Sequence, residues 1–447
     1  MSETVVEDPS LRTQRRGWYF YDWATSAFNT TVITVFLGPY LTDIARRGAG
    51  PDGLIEPFGI SMRPEAYFPY LISLSVIGQL IALPIAGAIA DHSHRKKQLL
   101  AVLAYTGALA TLAMYFLQGT DYVLGGVLLL IGNIAFGAAM VVYNAFLPEL
   151  AGPDERDAVS SRGWAVGYLG GGLLLVINLG LFLGHEAIGL EEGHAVRLCL
   201  ASAGLWWGLF TLVPLRALRN KGRPPEDETA PRAVTASFTQ LGRTLAGLRK
   251  YPRTLLFLLA FIIYNDGVQT VISFSATYAD QELKLDQTVQ IGAILMVQFV
   301  AFGGALWLGR LARRFGTKRT VIASLVVWTL TVLVAYVLQA GQAWQFFALA
   351  FVIAIVLGGS QALSRSLFSQ LIPAGKEGEY FSLYEISDKG SAMLGAFVLG
   401  LALDVTGSYR AAIVSIAAFF VVGIALLVLV NLPRGIREAG NPVPERI

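Results

Sequence analysis

Charged residues are scarce in this chain of 447 residues. They make up 15% of it, against about 25% in soluble globular domains. Cysteine occurs once, as Cys199, which excludes an intrachain disulfide framework. The net charge is only +3, which argues against a nucleic-acid-binding protein. Hydrophobic residues make up 54% and gather into blocks of about 20, the length of a membrane-spanning helix. Composition therefore predicts an all-α membrane protein, because helices satisfy their own backbone in lipid.

Motifs of common catalytic and cofactor sites are also absent. No Walker motif occurs, so no ATP-driven process is indicated, and no GxSxG nucleophile motif occurs. The segment "DHSH" contains His92 and His94 without a third ligand nearby, which favours a solvated loop over a metal site. The segment "GYLGGG" follows no strand, so its glycines are interpreted as helix-packing residues. We expect no enzyme activity, no cofactor and no metal.

Twelve apolar segments are predicted to be membrane-spanning helices. They lie near residues 17–43, 67–90, 98–118, 122–147, 161–184, 196–214, 254–279, 288–309, 319–339, 344–369, 380–404 and 409–432. The longest polar interval separates the sixth from the seventh and is rich in proline and charge. We therefore predict an N-terminal bundle at 1–215, a cytoplasmic linker at 216–252 and a C-terminal bundle at 253–447.

Two halves of the chain repeat one another in sequence. The segment "YDWATSAFN" (21–29) aligns with "NDGVQTVIS" (265–273), which places Asp22 opposite Asp266. Further matches follow in the same order, between residues 87–97 and 309–319 and between residues 144–150 and 365–371. We therefore predict two pseudo-symmetric six-helix bundles around a central cavity, an arrangement that resembles the major facilitator superfamily.

The loop "GAIADHSHRKK" (87–97) resembles the superfamily motif Gly-x-x-x-Asp-Arg-x-Gly-Arg-Arg. Gly87 and Asp91 match the motif and Arg95 begins its basic end, although His94 stands where the motif has glycine. A small residue lets helices approach, and the aspartate can pair with a cation or a helix N-terminus. The alternative is that the loop only carries membrane-orienting positive charge. The predicted gating residues are Gly87, Asp91, Arg95, Glu149 and Arg162.

Four segments narrow the resemblance to one family. They are "YDWATSAFNTTV" (21–32), "SRGWAVGYLGGG" (161–172), "SRSLFSQLIP" (364–373) and "FSLYEISDKGSAMLG" (381–395). Over nearly the whole chain they resemble the family of the yeast autophagy-related vacuolar effluxer and its bacterial relatives. The resemblance implies a secondary transporter of small solutes, located as a monomer in a bacterial inner membrane. It also makes amino acids the expected cargo, because the yeast member is associated with their export. The proton is the candidate coupling ion, because a carboxylate such as Asp266 in a cavity that is alternately wet and dry should titrate.

Two alternatives remain open from the sequence. The first is an exporter of amphipathic organic compounds or lipids, with a cavity lined by Tyr21, Trp23, Tyr143 and Tyr264. The second belongs to another class, a membrane receptor that binds its ligand without transporting it.

Polar side chains inside the spans are the candidates for substrate binding or coupling, because a charge at the bilayer centre costs roughly 2.5–3.5 kcal/mol on insertion scales. Glu385 and Lys389 stand one helical turn apart and could pair, while Arg365 could face the carboxylates of span eleven or a substrate carboxylate. The complete candidate set is Asp22, Trp23, Ser26, Asn29, Tyr143, Asn144, Tyr264, Asp266, Gln269, Gln298, Gln361, Arg365, Glu385, Asp388 and Lys389.

The distribution of Lys and Arg predicts the orientation in the membrane. Of the 34 such residues, 27 fall on the side of the predicted termini and linker, six fall on the opposite side, and Lys389 lies within a span. Positive residues accumulate on the cytoplasmic side. We therefore expect epitope tags at either terminus or near Glu226 to be protected from external protease in intact cells, and a tag near Asp52 to be cleaved. Protection of the Asp52 tag would contradict this topology.

Overall fold

The computed structural model describes residues 9–220, 247–390 and 393–447, so most of the predicted linker lies outside the described residues. The first half of the chain contains helices α1 (Pro9–Ala27), α2 (Leu37–Arg47), α3 (Pro64–His92), α4 (Lys96–Ala113), α5 (Tyr122–Asn144), α6 (Leu147–Leu150), α7 (Arg156–Leu183) and α8 (Glu192–Ala217). The second half contains α9 (Pro252–Gln281), α10 (Gln287–Phe315), α11 (Thr317–Ala335), α12 (Ala343–Gln370), α13 (Glu377–Gly390), α14 (Met393–Thr406), α15 (Tyr409–Ser415), α16 (Ala417–Leu429) and α17 (Leu432–Glu438).

Eleven helical segments of the described residues are long and apolar enough to cross a membrane, and they coincide with the second to the twelfth predicted spans. Their outer faces carry large apolar side chains that are more than half exposed, such as Ile77, Leu209 and Leu330. Such extensive apolar exposure is unfavourable in water and is expected where lipid covers the protein. The chain is therefore an integral multi-pass membrane protein, whereas the count of twelve spans in two bundles stays a prediction.

The first predicted span is helical but is not a uniform α-helix. After α1, residues Phe28–Phe36 form a π-helix, and α2 continues to Arg47. Segments of π-helix are rare and frequently lie at functional sites. Along this stretch Asp22 is buried, Ser26 is half-buried and Asn29 is exposed. The exposure of these three polar side chains therefore increases along the helix.

The helices group into two compact units that differ from a simple division at the linker. The first unit comprises Met1–Ala145 and Leu169–Phe238, and the second comprises Phe146–Tyr168 and Thr239–Ile447. Helix α7 therefore contributes its beginning to the second unit and its end to the first.

Glycines bring helix backbones into contact in the first unit. A Cβ atom on Gly204 of α8 would lie 2.7 Å from the carbonyl oxygen of Ala108 in α4. A Cβ atom on Gly170 of α7 would lie 2.7 Å from the carbonyl oxygen of Trp23 in α1. Small residues have this role in membrane proteins, where close van der Waals packing replaces the hydrophobic effect between helices.

In the second unit, glycines likewise allow α10 and α12 to pack closely. A Cβ atom on Gly304 would overlap the backbone of Ile355, and one on Gly359 would overlap the side chain of Leu308. Every residue of α12 from 356 to 370 is buried. This half of α12 is therefore the central element of the second unit.

Two adjacent glycines of α10 provide a matched test of this packing. We expect Gly304→Ala to lower the stability of the purified protein by about 1–3 kcal/mol, because the new methyl group meets backbone atoms that cannot move aside. The control is Gly303→Ala, whose Cβ would have no neighbour within 4 Å and should cost nothing. Thermal unfolding in detergent measures both variants. Equal melting temperatures for the two would contradict close packing of α10 against α12.

Candidate functional site

A network of amide and carboxyl side chains joins α9, α12 and α13 in the second unit. The Nε2 atom of Gln361 donates to Oδ1 of Asn265 at 2.7 Å. Asn265 in turn donates from Nδ2 to Oδ1 of Asp388 at 3.1 Å. Gln269 donates to the same carboxyl oxygen at 3.5 Å. Of these four side chains Asn265 alone was not predicted as a site residue, and we call them the amide network.

Asp388 and Lys389 form the charged, accessible end of this network. The Nζ atom of Lys389 lies 2.8 Å from Oδ2 of Asp388, and the two side chains are 28% and 17% exposed, respectively. Asp388 therefore has both oxygens engaged, one by amides and one by an ammonium group. The pair predicted from the sequence joined Lys389 to Glu385, which is buried on the same helix, and that pairing stays a prediction.

Asp266, the predicted counterpart of Asp22, is bound to backbone atoms of α14. Its carboxylate accepts hydrogen bonds from the N–H groups of Leu394 at 3.2 Å and Gly395 at 2.7 Å. The hydroxyl of Thr270 donates to the same carboxylate at 3.3 Å. A Cβ atom on Gly395 would overlap Thr270, so the glycine permits this approach. Because Asp266 is 1% exposed, the geometry favours a role in fixing the start of α14.

Arg365 lies on the buried half of α12 and holds the beginning of α7. Its Nε atom donates to the hydroxyl of Ser160 at 2.9 Å, and its Nη2 atom donates to the backbone carbonyl of Ser160 at 3.0 Å. The Ser160 hydroxyl donates to the carbonyl of Ala362 at 2.7 Å. The guanidinium also lies over the ring of Trp164, 5.6 Å from its centroid, at a distance typical of cation–π contacts.

Arg156 extends this connection by one helical turn. Its guanidinium donates to the carbonyl of Ser369 at 2.8 Å and to the side chain of Gln370 at 3.3 Å. Gln370 donates to the carbonyl of Pro153 at 2.8 Å. We call the contacts of Arg156 and Ser160 with α12 the clasp. Neither residue was predicted from the sequence, although their position after the polar turn "AGPDE" (151–155) marks the start of a span.

The first unit contains a smaller polar cluster around Asp22. The hydroxyl of Tyr143 donates to Oδ2 of Asp22 at 2.6 Å. The indole of Trp18 donates to the carbonyl of Tyr143 at 3.0 Å and stacks on its ring at 4.4 Å between centroids. Asp22 is 7% exposed. Asp22 and Tyr143, both predicted from the sequence, are thus brought together in a closed arrangement.

The remaining predicted site residues lie in separate environments. Trp23 stacks on Trp206 at 5.4 Å, and Asn144 is buried at the end of α5. Tyr264 forms a hydrogen bond of 2.6 Å with Ser364 beside the amide network, whereas Gln298 is half-buried on α10.

The predicted gating residues differ in their surroundings. Gly87 is buried on α3, Asp91 is half-buried at its end, and Arg95 is exposed before α4. Glu149 is half-buried on α6 and Arg162 is exposed on α7. Their role in gating stays a prediction.

The described residues hold no group of three or more His, Cys, Asp or Glu side chains that could bind a metal ion. The amide network and Lys389, which pairs with its Asp388, offer charges and hydrogen-bonding groups to a polar ligand.

Solved structures with a similar fold include transporters of the major facilitator superfamily. An Escherichia coli fucose:proton symporter, FucP, matches with a TM-score of 0.67 and 15% identity, over 93% of this chain and 97% of the other. A bacterial homologue of the iron transporter ferroportin, in an outward-facing state, matches with a TM-score of 0.67 and 14% identity, over 94% and 99% of the two chains. At these identities the similarity shows the fold alone.

Sequence comparison identifies the family. The family described as "Vacuole effluxer Atg22 like" matches residues 10–440, and the chain belongs to it. A relative in Bacillus subtilis (strain 168), the MFS-type transporter YxiO, is 30% identical over 93% of this chain and 94% of its own length. Autophagy-related protein 22-1 of Penicillium rubens is 26% identical over 96% and 92% of the two chains. The resemblance predicted from the sequence is confirmed, and these are families of transporters and not of enzymes.

The clasp can be tested with two adjacent serines. Ser160→Ala removes the acceptor for Nε of Arg365 and the donor to Ala362, so a buried guanidinium loses a partner. We expect a loss of stability of about 1–3 kcal/mol, measured by thermal unfolding. Ser161→Ala is the matched control, because the buried hydroxyl of Ser161 has no hydrogen-bond partner among the described residues. A stable Ser160→Ala protein would show that the clasp contributes little.

Proposed function

We propose that this protein is a secondary active transporter that moves small solutes by alternating access, and that the amide network with Lys389 forms its substrate site. The observation that supports this proposal is the partly exposed ion pair of Asp388 and Lys389 inside a membrane-spanning segment. Ionised groups at such positions are costly and usually have a function. The membership of the chain in a family of transporters supports the same conclusion.

The cargo that fits this site is a zwitterion such as an amino acid. The ammonium group of the substrate would replace Lys389 at Asp388, and its carboxylate would take Lys389 as its new partner. Both protein charges then remain paired throughout, which avoids leaving an isolated charge in a low-dielectric site. Arg365 and Asp266, which are also candidate site residues, are already engaged by Ser160 and by the backbone of α14.

The coupling ion that we propose is the proton, with Asp388 as its carrier. A carrier has to exchange its proton with water, and the Asp388 side chain is partly exposed. Asp266 is 1% exposed and accepts three hydrogen bonds, so it is better suited to positioning α14. The description of the family as effluxers supports export as the direction.

We propose that the clasp acts as a gate in the transport cycle. Arg156 and Arg365 hold the beginning of α7 against the buried half of α12. Alternating access requires helices at one end of the protein to separate and pack again. Hydrogen bonds between polar groups can be exchanged for bonds to water when the helices part, so such a contact can open and close reversibly.

Transport of labelled solutes into proteoliposomes, with and without a pH gradient, tests this function. The solutes are chosen by a thermal-stabilisation screen of amino acids, sugars and lipids. We expect wild-type protein to exchange amino acids and to accumulate them when a gradient is imposed. Lys389→Gln should reduce both activities by roughly tenfold or more, since a charged hydrogen bond is worth about 1.5–3 kcal/mol. Asp388→Asn should abolish accumulation.

Lys376→Gln is the matched control, because this lysine is exposed on the loop before α13. Binding of a solute without counterflow would contradict transport and favour a receptor. Stabilisation and flux with lipids alone would favour an exporter of amphipathic compounds. Undiminished gradient-driven uptake by Asp388→Asn would exclude Asp388 as the proton carrier.

A further inference from the structure

The charge of Asp388 determines which group donates and which accepts at each hydrogen bond of the amide network. A carboxylate accepts hydrogen bonds and cannot donate them. Asn265 must therefore turn its NH2 group towards Asp388, at 3.1 Å. Its oxygen then faces Gln361, whose NH2 group donates to it at 2.7 Å. The orientation of both amides thus follows from one ionised group.

The far end of this chain of hydrogen bonds lies beside the clasp. Gln361 precedes Ala362, whose carbonyl accepts from the Ser160 hydroxyl at 2.7 Å. Arg365, which binds the same serine, lies one helical turn after Gln361. Asn265 is 0% exposed and Gln361 is 6% exposed, so water has little access to the chain between its ends.

Resting on the function proposed above, we propose that Asn265 is a positioning residue that transmits the protonation of Asp388 to the clasp. A protonated Asp388 can donate to the oxygen of Asn265, which requires the Asn265 amide to turn over. The NH2 group of Asn265 then faces Gln361, whose amide has to turn over as well. The proton stays on the Asp388 carboxyl group, and only hydrogen bonds are exchanged.

Charged and titratable groups around the amide network come from three helices. Lys389 contacts the carboxylate of this network on α13, where Glu385 and Tyr384 lie within electrostatic range of the same pair. Arg365 on α12 acts on Tyr384, and Asp266 follows Asn265 on α9. Asn265 and Gln361 carry no titratable group, and their hydrogen bonds connect Asp388 with α12.

Substitution of Asn265 by aspartate separates this role from simple packing. Asn265→Asp has nearly the same shape but places a second acceptor opposite the Asp388 carboxylate. At neutral pH we expect transport to fall roughly tenfold, the effect of losing a hydrogen bond to a charged group. At acidic pH one of the two carboxyl groups takes up a proton, the hydrogen bond forms again, and transport should recover.

A second variant and a matched control keep the test decisive if Asn265→Asp folds poorly. Gln361→Glu places the extra acceptor at the other end of the chain and should show the same recovery at acidic pH. Asn431→Asp is the control, because Asn431 caps α17 by accepting from the N–H of Arg434, a role that aspartate also fills. The control should keep the wild-type pH profile. Wild-type profiles in both Asn265→Asp and Gln361→Glu would overturn the proposal.

A further measurement does not depend on transport. Ala158, half-buried at the start of α7, is replaced by cysteine in a background without Cys199, and labelling by a water-soluble maleimide is followed as pH changes. Each rate is divided by that of the unfolded protein at the same pH, which removes the pH dependence of the thiol itself. We expect labelling to change with pH, and Asn265→Ala to abolish that change. An unaltered pH response in Asn265→Ala would overturn the relay even if wild-type protein transports amino acids. Absence of amino acid transport together with a relay-dependent response would contradict only the proposed cargo.

Discussion

The burial of a guanidinium group is the constraint on which the second unit depends. Arg365 is 1% exposed on a helix segment whose every residue is buried. A charge in this position is tolerated only when its donors are satisfied. The hydroxyl and carbonyl of Ser160 and the ring of Trp164 provide that environment. The requirement therefore fixes the beginning of α7 against α12, and with it the grouping of Phe146–Tyr168 with the second half of the chain.

Five charged residues of this unit differ in what they bind. Arg365, Arg156 and Asp266 each bind main-chain atoms of another segment, so they determine how helices are joined. Asp388 and Lys389 bind each other and remain partly exposed, which is why we propose that a solute with opposite charges replaces their contact. In the function proposed above, this pair binds and releases the solute, whereas the other three residues join helices, and the contacts of the clasp part and form again during the cycle.

Part of the site could be predicted from sequence because a polar residue in an apolar span is conspicuous. That signal singled out Gln361, Gln269, Asp388 and Lys389 as candidate site residues. In the structure Gln361 and Asp388 both contact Asn265, and Gln269 contacts Asp388. Their role in transport stays a prediction. Asn265 was not predicted, because the neighbouring Asp266 is charged and is the more conspicuous polar residue of this span. Ser160 was missed because serine in a membrane helix is common and has no distinctive spacing.

The sequence by itself determined that the chain crosses a membrane many times, where eleven of the spans lie and which family it belongs to. These properties follow from apolar windows of about 20 residues and from local motifs, which need no knowledge of distant partners. Only the tertiary structure decided which polar groups satisfy one another. Asn265 and Asp388 are 123 residues apart, and Ser160 and Arg365 are 205 residues apart. No local pattern contains both members of such a pair, since a hydrogen bond depends on a few ångströms in space and not on separation along the chain.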